Sequence, residues 1–207
     1  MRRVPAAGGC RHTLSVRRST ARARGHPAKG GVTADGPFSA TVRERRSGMI
    51  RDVQVKALKV LTDERGFLME MLRADDPLFE AFGQVYITGC RRGVAKGWHY
   101  HKEQTDHFIC VSGAALVVLY DGREGSPTHG EAQEFVLTAP PAVDPAPILL
   151  KIPPLVLHGF TTVGCEEARI INVPTRTYRY ENPDEYRVPW DSKQVPYRWP
   201  PEVVRGG

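Results

Sequence analysis

The sequence predicts an all-β protein, a sandwich or barrel of short strands, and three observations carry that prediction. Apolar and polar residues alternate over short runs from residue 49 onward. Seventeen Pro and twenty Gly among 207 residues punctuate those runs. Only one segment reads as a helix, and no apolar run approaches the length needed to cross a bilayer.

In chain order, residues 53–61 alternate, with Val53, Val55 and Ala57 against Gln54 and Lys56. Asp63-Glu64-Arg65-Gly66 is a turn, and residues 67–72 form the next strand. Residues 75–82 are the modest helix candidate, with Pro77 in the first turn and Gly83 as the stop. Residues 84–88 alternate again. Residues 108–120 are β-branched, aliphatic and aromatic, interrupted by the small Ser112-Gly113-Ala114-Ala115 step that a hairpin needs. Further strands are expected at 134–137, 148–152, 159–163 and 168–173. Asn182-Pro183-Asp184-Glu185 reads as a solvated turn. No internal repeat is present.

Charge divides the chain in two. Residues 1–48 hold ten arginines and Lys29 against Asp35 and Glu44, so the net +6 belongs to that segment and the remainder is slightly acidic. The basic segment has almost no large apolar residues and cannot offset the entropy of ordering itself, so it is expected to be a disordered tail. It resembles an Arg-rich transit peptide, and equally fits an over-extended start with translation beginning at Met49. The domain is expected over residues 49–207. Its charge gives no reason to expect nucleic-acid binding, and its hydropathy none to expect a membrane. Cys10, Cys90, Cys110 and Cys165 form no CxxC pair. Free buried thiols and a reducing, cytoplasmic location are the expectation.

The chemistry concentrates in KGWHYHKEQTDHFICVSG, residues 96–113. His99 and His101 project from the same face of extended backbone, Asp106 and His107 follow, and an apolar strand begins at Phe108. A histidine pair at i and i+2, a nearby carboxylate and a distant His158 suit proton transfer or metal ligation better than solvation. Trp98 reads as packing.

Five stretches taken together resemble the dTDP-4-dehydrorhamnose 3,5-epimerase family. They are DERGFLME (63–70), QVYITGCRRGVAKGWHYH (84–101), YDGREGSPTHG (120–130), IPPLVLHGF (152–160) and WDSKQVPYRWP (190–200), in the family's order. The resemblance implies a cupin double-stranded β-helix, a jelly-roll barrel, that epimerises a nucleotide-sugar beside a 4-keto group without a cofactor. It further implies a homodimer that pairs through N-terminal strands. His99 falls at the family's catalytic base, and Lys96 where the family usually has Arg. Arg65, Glu70 and Gln84 match substrate-binding positions, and His158 the second active-site histidine; His101 and Asp106 are placed with them against the substrate.

Three departures from the family pattern are visible. The active-site lysine aligns with Asp106. The tyrosine acid falls at Pro174, six residues before Tyr180, leaving Tyr180 as the candidate. The carboxylate that orients the base falls at Ser192, next to Asp191. Enolisation needs a base, a charge to hold the enolate, and an acid on the other face. A carboxylate about 4 Å from the enolate would cost roughly 4 kcal/mol at an effective dielectric near 20, so Asp106 requires a neutralising partner, with Lys96 and His107 as candidates.

Two features keep rivals in view. The HxH pair also resembles sugar 3,4-ketoisomerases. His99, His101, Asp106 and His158 resemble the metal-binding cupin pattern, which would make the protein a divalent-metal-dependent cupin enzyme. A barrel that binds sugar without catalysis is the third reading.

Overall fold

Residues 48–142 and 144–207 are described by a computed structural model. The expectations for residues 1–47, Cys10 among them, lie outside the described residues. Thirteen strands are present among the described residues, with no helix. They are β1 (Gln54–Ala57), β2 (Val60–Asp63), β3 (Gly66–Met69), β4 (Tyr86–Arg91), β5 (Val94–Tyr100), β6 (Asp106–Ser112) and β7 (Ala114–Asp121). β8 (Ala132–Thr138), β9 (Ile148–Ile152), β10 (Val156–Thr162), β11 (Glu167–Asn172), β12 (Tyr186–Arg187) and β13 (Arg205–Gly206) complete the set.

One sheet runs β1-β9-β6-β11-β4; the other runs β12-β5-β10-β7-β8, with β13 added parallel to β5. All other pairings are antiparallel. Apart from the β7–β8 hairpin, consecutive strands from β4 to β12 fall in different sheets, and the two inner faces close on a core of Phe108, Cys110, Val117, Leu119, Leu150, Phe160 and Ile170. This is the all-β cupin jelly roll.

Alternation explains the inward residues, and the outward ones are apolar because the chain covers both backs of the barrel. On β7, Ala115, Val117 and Leu119 face the core, while Leu116 and Val118 meet Val195, Trp199 and Val203 of the C-terminal segment. Ile109 and Leu149 are covered on the other back by Met69, Met71, Leu72 and Leu78.

The helix expected at 75–82 is not formed. Asp76 turns back to pair with Lys56 and accepts the Leu78 N–H, and the Leu78 carbonyl faces His107 at 3.0 Å. These side-chain bonds satisfy the backbone in a turn that helix propensity alone does not foresee. The strand expected over 53–61 divides at Leu58, which is buried under the barrel and whose N–H goes to Pro147.

β5 carries the residue phase on which the site depends. His158 pairs with His99 and Phe160 with Lys96, so one residue of β10, Gly159, opposes two of β5, Gly97 and Trp98, across a bulge. The bulge lets Lys96 and His99 both face inward. It requires glycine on both strands: a Cβ on Gly97 would come 2.8 Å from the Gly159 Cα, and one on Gly159 would come 2.9 Å from the Gly97 Cα.

Candidate active site

A cavity of about 490 Å³ opens between the sheets, lined by Gln84, Tyr86, Lys96, His99, His101 and Phe108 within and by Arg176, Tyr178, Arg179 and Tyr180 in its outer part. Its polar floor is built by neighbouring strands. His99 on β5 is the cross-strand partner of His158 on β10, and their rings lie 4.0 Å apart. His101, two residues on, shares that face, and its ring is 5.7 Å from that of His99. Asp106 opens β6 on the other sheet and reaches between His101 and His158, with Oδ2 3.2 Å from the Nε2 of each.

Asp106, His158 and His101 are each held by their outer atoms. Asp106 Oδ1 accepts from Gln104 Nε2 at 2.7 Å and from Asn172 Nδ2 at 2.9 Å. His158 Nδ1 faces the Val156 carbonyl at 3.0 Å, and His101 Nδ1 bonds the Asp184 carbonyl. Asp184 in turn accepts the N–H groups of Lys102, Glu103 and Gln104 through its carboxylate. The 182–185 turn expected to be merely solvated therefore fixes one wall of the site. Phe108 packs edge-on against His158 and closes the floor on the core side.

The inner atoms are held differently. His101 Nε2, Asp106 Oδ2 and His158 Nε2 are buried and make no directed hydrogen bond. They approach one another off the lines along which a hydrogen bond would run.

Electrostatics separate the roles. Burial, His158 and His101 hold His99 well below the usual histidine range despite Asp106, so it is neutral and can accept a proton. Burial pushes the Asp106 carboxyl upward, but His101 and His158 outweigh it and keep Asp106 ionised. For His101, burial is outweighed by Asp106 beside it, and its pKa is raised.

Tyr86, from β4 on the sheet opposite His99, is the site residue that the sequence did not single out. Its phenol accepts from Asn172 Nδ2 at 2.9 Å, which leaves its own O–H to donate into the cavity. Burial, then the charge of Asp106, push its pKa up to about 12, so it keeps its proton. The sequence signal was present in the alternation of residues 84–88, which places Tyr86 on the face of Gln84 and Thr88, but nothing in it told the inner face from the outer.

The expected site residues part into two groups. His99, His101, Asp106 and His158 come together, with Lys96 and Gln84 on the same cavity. Lys96 bonds Thr88 at 2.7 Å and His107 faces the Val173 and Leu78 carbonyls, so neither is the partner of Asp106. Tyr180 is at the cavity but 89% exposed. Arg65 and Glu70 lie on the β2–β3 hairpin and just after it, paired to Asp63 and Arg73 and away from the cavity within this chain. Asp191 is exposed and does not line the cavity. Trp98 and Trp199 both donate to the Trp190 carbonyl, which anchors that turn on the face of β5 opposite to His99. The carboxylate among the histidines is Asp106 instead.

A family model described as dTDP-4-dehydrorhamnose 3,5-epimerase matches residues 47–205. The probable low-salt glycan biosynthesis epimerase Agl13 of Haloferax volcanii is 40% identical over 156 residues, covering 74% of this chain and 97% of the relative. The spore coat polysaccharide biosynthesis protein SpsL of Bacillus subtilis is 40% identical over 151 residues, covering 73% and 97%. Among solved structures, a dTDP sugar isomerase from Desulfovibrio desulfuricans G20 superposes with a TM-score of 0.67 at 33% identity, over 72% of this chain and 92% of that one.

Proposed function

The chain belongs to the dTDP-4-dehydrorhamnose 3,5-epimerase family and is an enzyme of its nucleotide-sugar epimerase class; from that premise we propose that His99 and Tyr86 invert a carbon beside the 4-keto group of a nucleotide-bound sugar. The observation that carries this assignment is the neutral His99 on one sheet facing a protonated tyrosine on the other across a single cavity. His99 takes the C–H proton, and the electron pair passes into the carbon–carbon bond of the enolate. The Tyr86 O–H returns a proton to the opposite face, and solvent resets both groups. The reaction consumes no oxidant or reductant and calls for no organic cofactor.

Arg176 and Arg179 in the outer part of the cavity suit the diphosphate of the substrate, since planar guanidinium groups match phosphate oxygens. The family's lysine is replaced by Asp106, so the charge that steadies the enolate has to come from what Asp106 holds around it.

A homodimer accounts for the second group of expected residues. Leu61, Phe67 and Leu68 on the β2–β3 hairpin are 50%, 53% and 57% exposed, more apolar surface than a free hairpin would leave in water. Val85, just before β4, and Ile87 on that edge strand are 57% and 59% exposed. A second copy covering these surfaces would let the hairpin bring Arg65 and Glu70 to the partner's cavity.

Solvent deuterium exchange tests the assignment with a 4-keto-6-deoxy nucleotide-sugar as substrate. The parent should incorporate deuterium beside the carbonyl and form the epimer. His99→Ala should lose exchange by about 10²–10⁴-fold. Tyr86→Phe should still exchange, because His99 can return the label to the face it came from, but should form little epimer. Exchange at the parent rate in His99→Ala would remove His99 as the base. Normal epimer formation in Tyr86→Phe, with its loss in Tyr180→Phe, would move the acid to Tyr180.

A further inference from the structure

The four ionisable groups on the cavity floor are not equivalent. His99 and His101 both border the cavity, but the Nε2 of His101, with Asp106 Oδ2 and His158 Nε2, is shut away from solvent. His101 Nε2, Asp106 Oδ2 and His158 Nε2 belong to side chains that are 8%, 1% and 2% exposed, and none has a directed hydrogen bond. Buried polar atoms without partners are rare in native proteins because each forfeits its hydration. Three that converge on one point need a common reason.

The tautomers supply it. The carbonyls of Val156 and Asp184 can only accept, so each must receive the Nδ1–H of the histidine it faces. With Nδ1 carrying the proton, a ring that bears no second proton turns the lone pair of Nε2 toward Asp106 Oδ2. Three lone pairs then meet, and the carboxylate is locked in that orientation by Gln104 and Asn172 on its other oxygen. A cation at their centre turns the repulsion into attraction. A proton on the His101 Nε2 alone would answer Asp106 but leave the His158 lone pair facing the carboxylate, and a proton on each Nε2 would bury two imidazolium ions beside one carboxylate.

The spacing suits a metal. Ligands about 2.0–2.1 Å from a tetrahedral ion stand roughly 3.3–3.4 Å apart. Both Nε2–Oδ2 separations are 3.2 Å, and all four candidate ligand atoms, that of His99 included, lie within 4.8 Å of one another. The outer bonds are also those of metal-bound histidines, which donate their second N–H to a carbonyl or carboxylate. Two imidazoles and a carboxylate suit a divalent first-row transition ion rather than calcium or magnesium.

We propose that His101, Asp106 and His158 hold a divalent transition-metal ion beneath the cavity floor, and that His99 remains outside this cage, free to act as the base. The ion offsets the Asp106 charge and restores the positive charge that the resembled family carries on a lysine at this position. That role rests on the epimerase reading; the binding itself does not.

The test uses the full chain purified without an affinity tag. Elemental analysis should find a transition metal stoichiometric with protein. Stripping it with a chelator should lower the melting temperature by several degrees, and adding Zn²⁺ should restore it. Adding Co²⁺ to the stripped protein should produce visible d–d absorption that Zn²⁺ abolishes. Asp106→Asn and His158→Gln should lose metal content by at least about tenfold, as changes to metal-site ligands and their supports do, and His99→Ala should keep it. No metal in the parent, with neither a thermal shift nor a Co²⁺ spectrum, would overturn the proposal even if the ligand variants fail to fold. Metal retained in both ligand variants, or lost in His99→Ala, would also overturn it. Should His99→Ala keep the metal and still exchange deuterium at the parent rate, the base assignment fails while the metal site stands.

Discussion

Asp121 shows at the scale of one residue how a side chain can be strongly perturbed and still take no part in chemistry. It ends β7 fully buried, and its two carboxylate oxygens receive Arg123, the Arg123 N–H, Ser126 Oγ and Thr128 Oγ1 at 2.6–3.0 Å. Burial would raise its pKa, but the guanidinium and the hydroxyls outweigh burial and hold it well below the ordinary 3.8. The native value lies below the unfolded one, so the stabilisation is complete above about pH 4 and is lost as pH falls toward the native value. Removing one partner of a buried ion pair costs about 3–5 kcal/mol. For a chain of this size, Asp121→Ala should lower Tm by roughly 10 °C at pH 7. Asp121→Asn should also flatten the acid limb of a stability–pH curve followed by thermal melts. An acid limb unchanged in Asp121→Asn would show that other carboxylates set it. The motif YDGREGSPTHG is thus a folding device, whereas Asp106, perturbed in the same direction, has one oxygen left unmatched beneath a cavity.

Among the elements, the β2–β3 hairpin stands apart because it pairs with no strand of either barrel sheet. A two-stranded hairpin is marginal alone, and one that exposes Leu61, Phe67 and Leu68 needs cover. Phe67→Lys with Leu68→Lys should therefore convert a dimer to a monomer, measured by light scattering coupled to size-exclusion chromatography. Both side chains are exposed within the chain, so the monomer should stay folded, and it should lose turnover if Arg65 or Glu70 serves the partner's site. A parent that is monomeric at micromolar concentration would remove the dimer. The bulge in β5 is the other element on which function turns. Its paired Gly97 and Gly159 bring Lys96 and His99 to one face, which strict alternation forbids.

At the scale of the whole molecule, both backs of the barrel are sealed by chain from outside it, the 69–78 segment on one and the 195–203 segment on the other. The barrel core also takes in Ile50 and Val53, at the beginning of the described residues. A chain beginning at Met49 should therefore melt within a few degrees of the full one, whereas a chain beginning after Val53 should melt clearly lower, since two buried aliphatic side chains represent about 3–6 kcal/mol of burial. A large loss on starting at Met49 would show that residues 1–48 contribute to the fold.

The sequence by itself determined the β class, most strand positions and the shared face of His99 and His101, because period-two alternation and the HxH spacing are local and survive in one dimension. Arg65 and Glu70 were legible as a motif but not as a place, since their side chains meet this chain's cavity nowhere. Tertiary structure alone decided that Asp106 pairs with His101 and His158 rather than with Lys96 or His107, that Asp191 faces away, and that Tyr86 stands opposite His99. It also decided that residues 75–82 form turns. Each of these depends on contacts between residues far apart in the chain: β6 must be set against β10, Asp184 brought back over residues 102–104, and Trp190 pinned under two indoles. Alternation says that a side chain faces one side or the other; only the closing of two sheets says which side is the cavity.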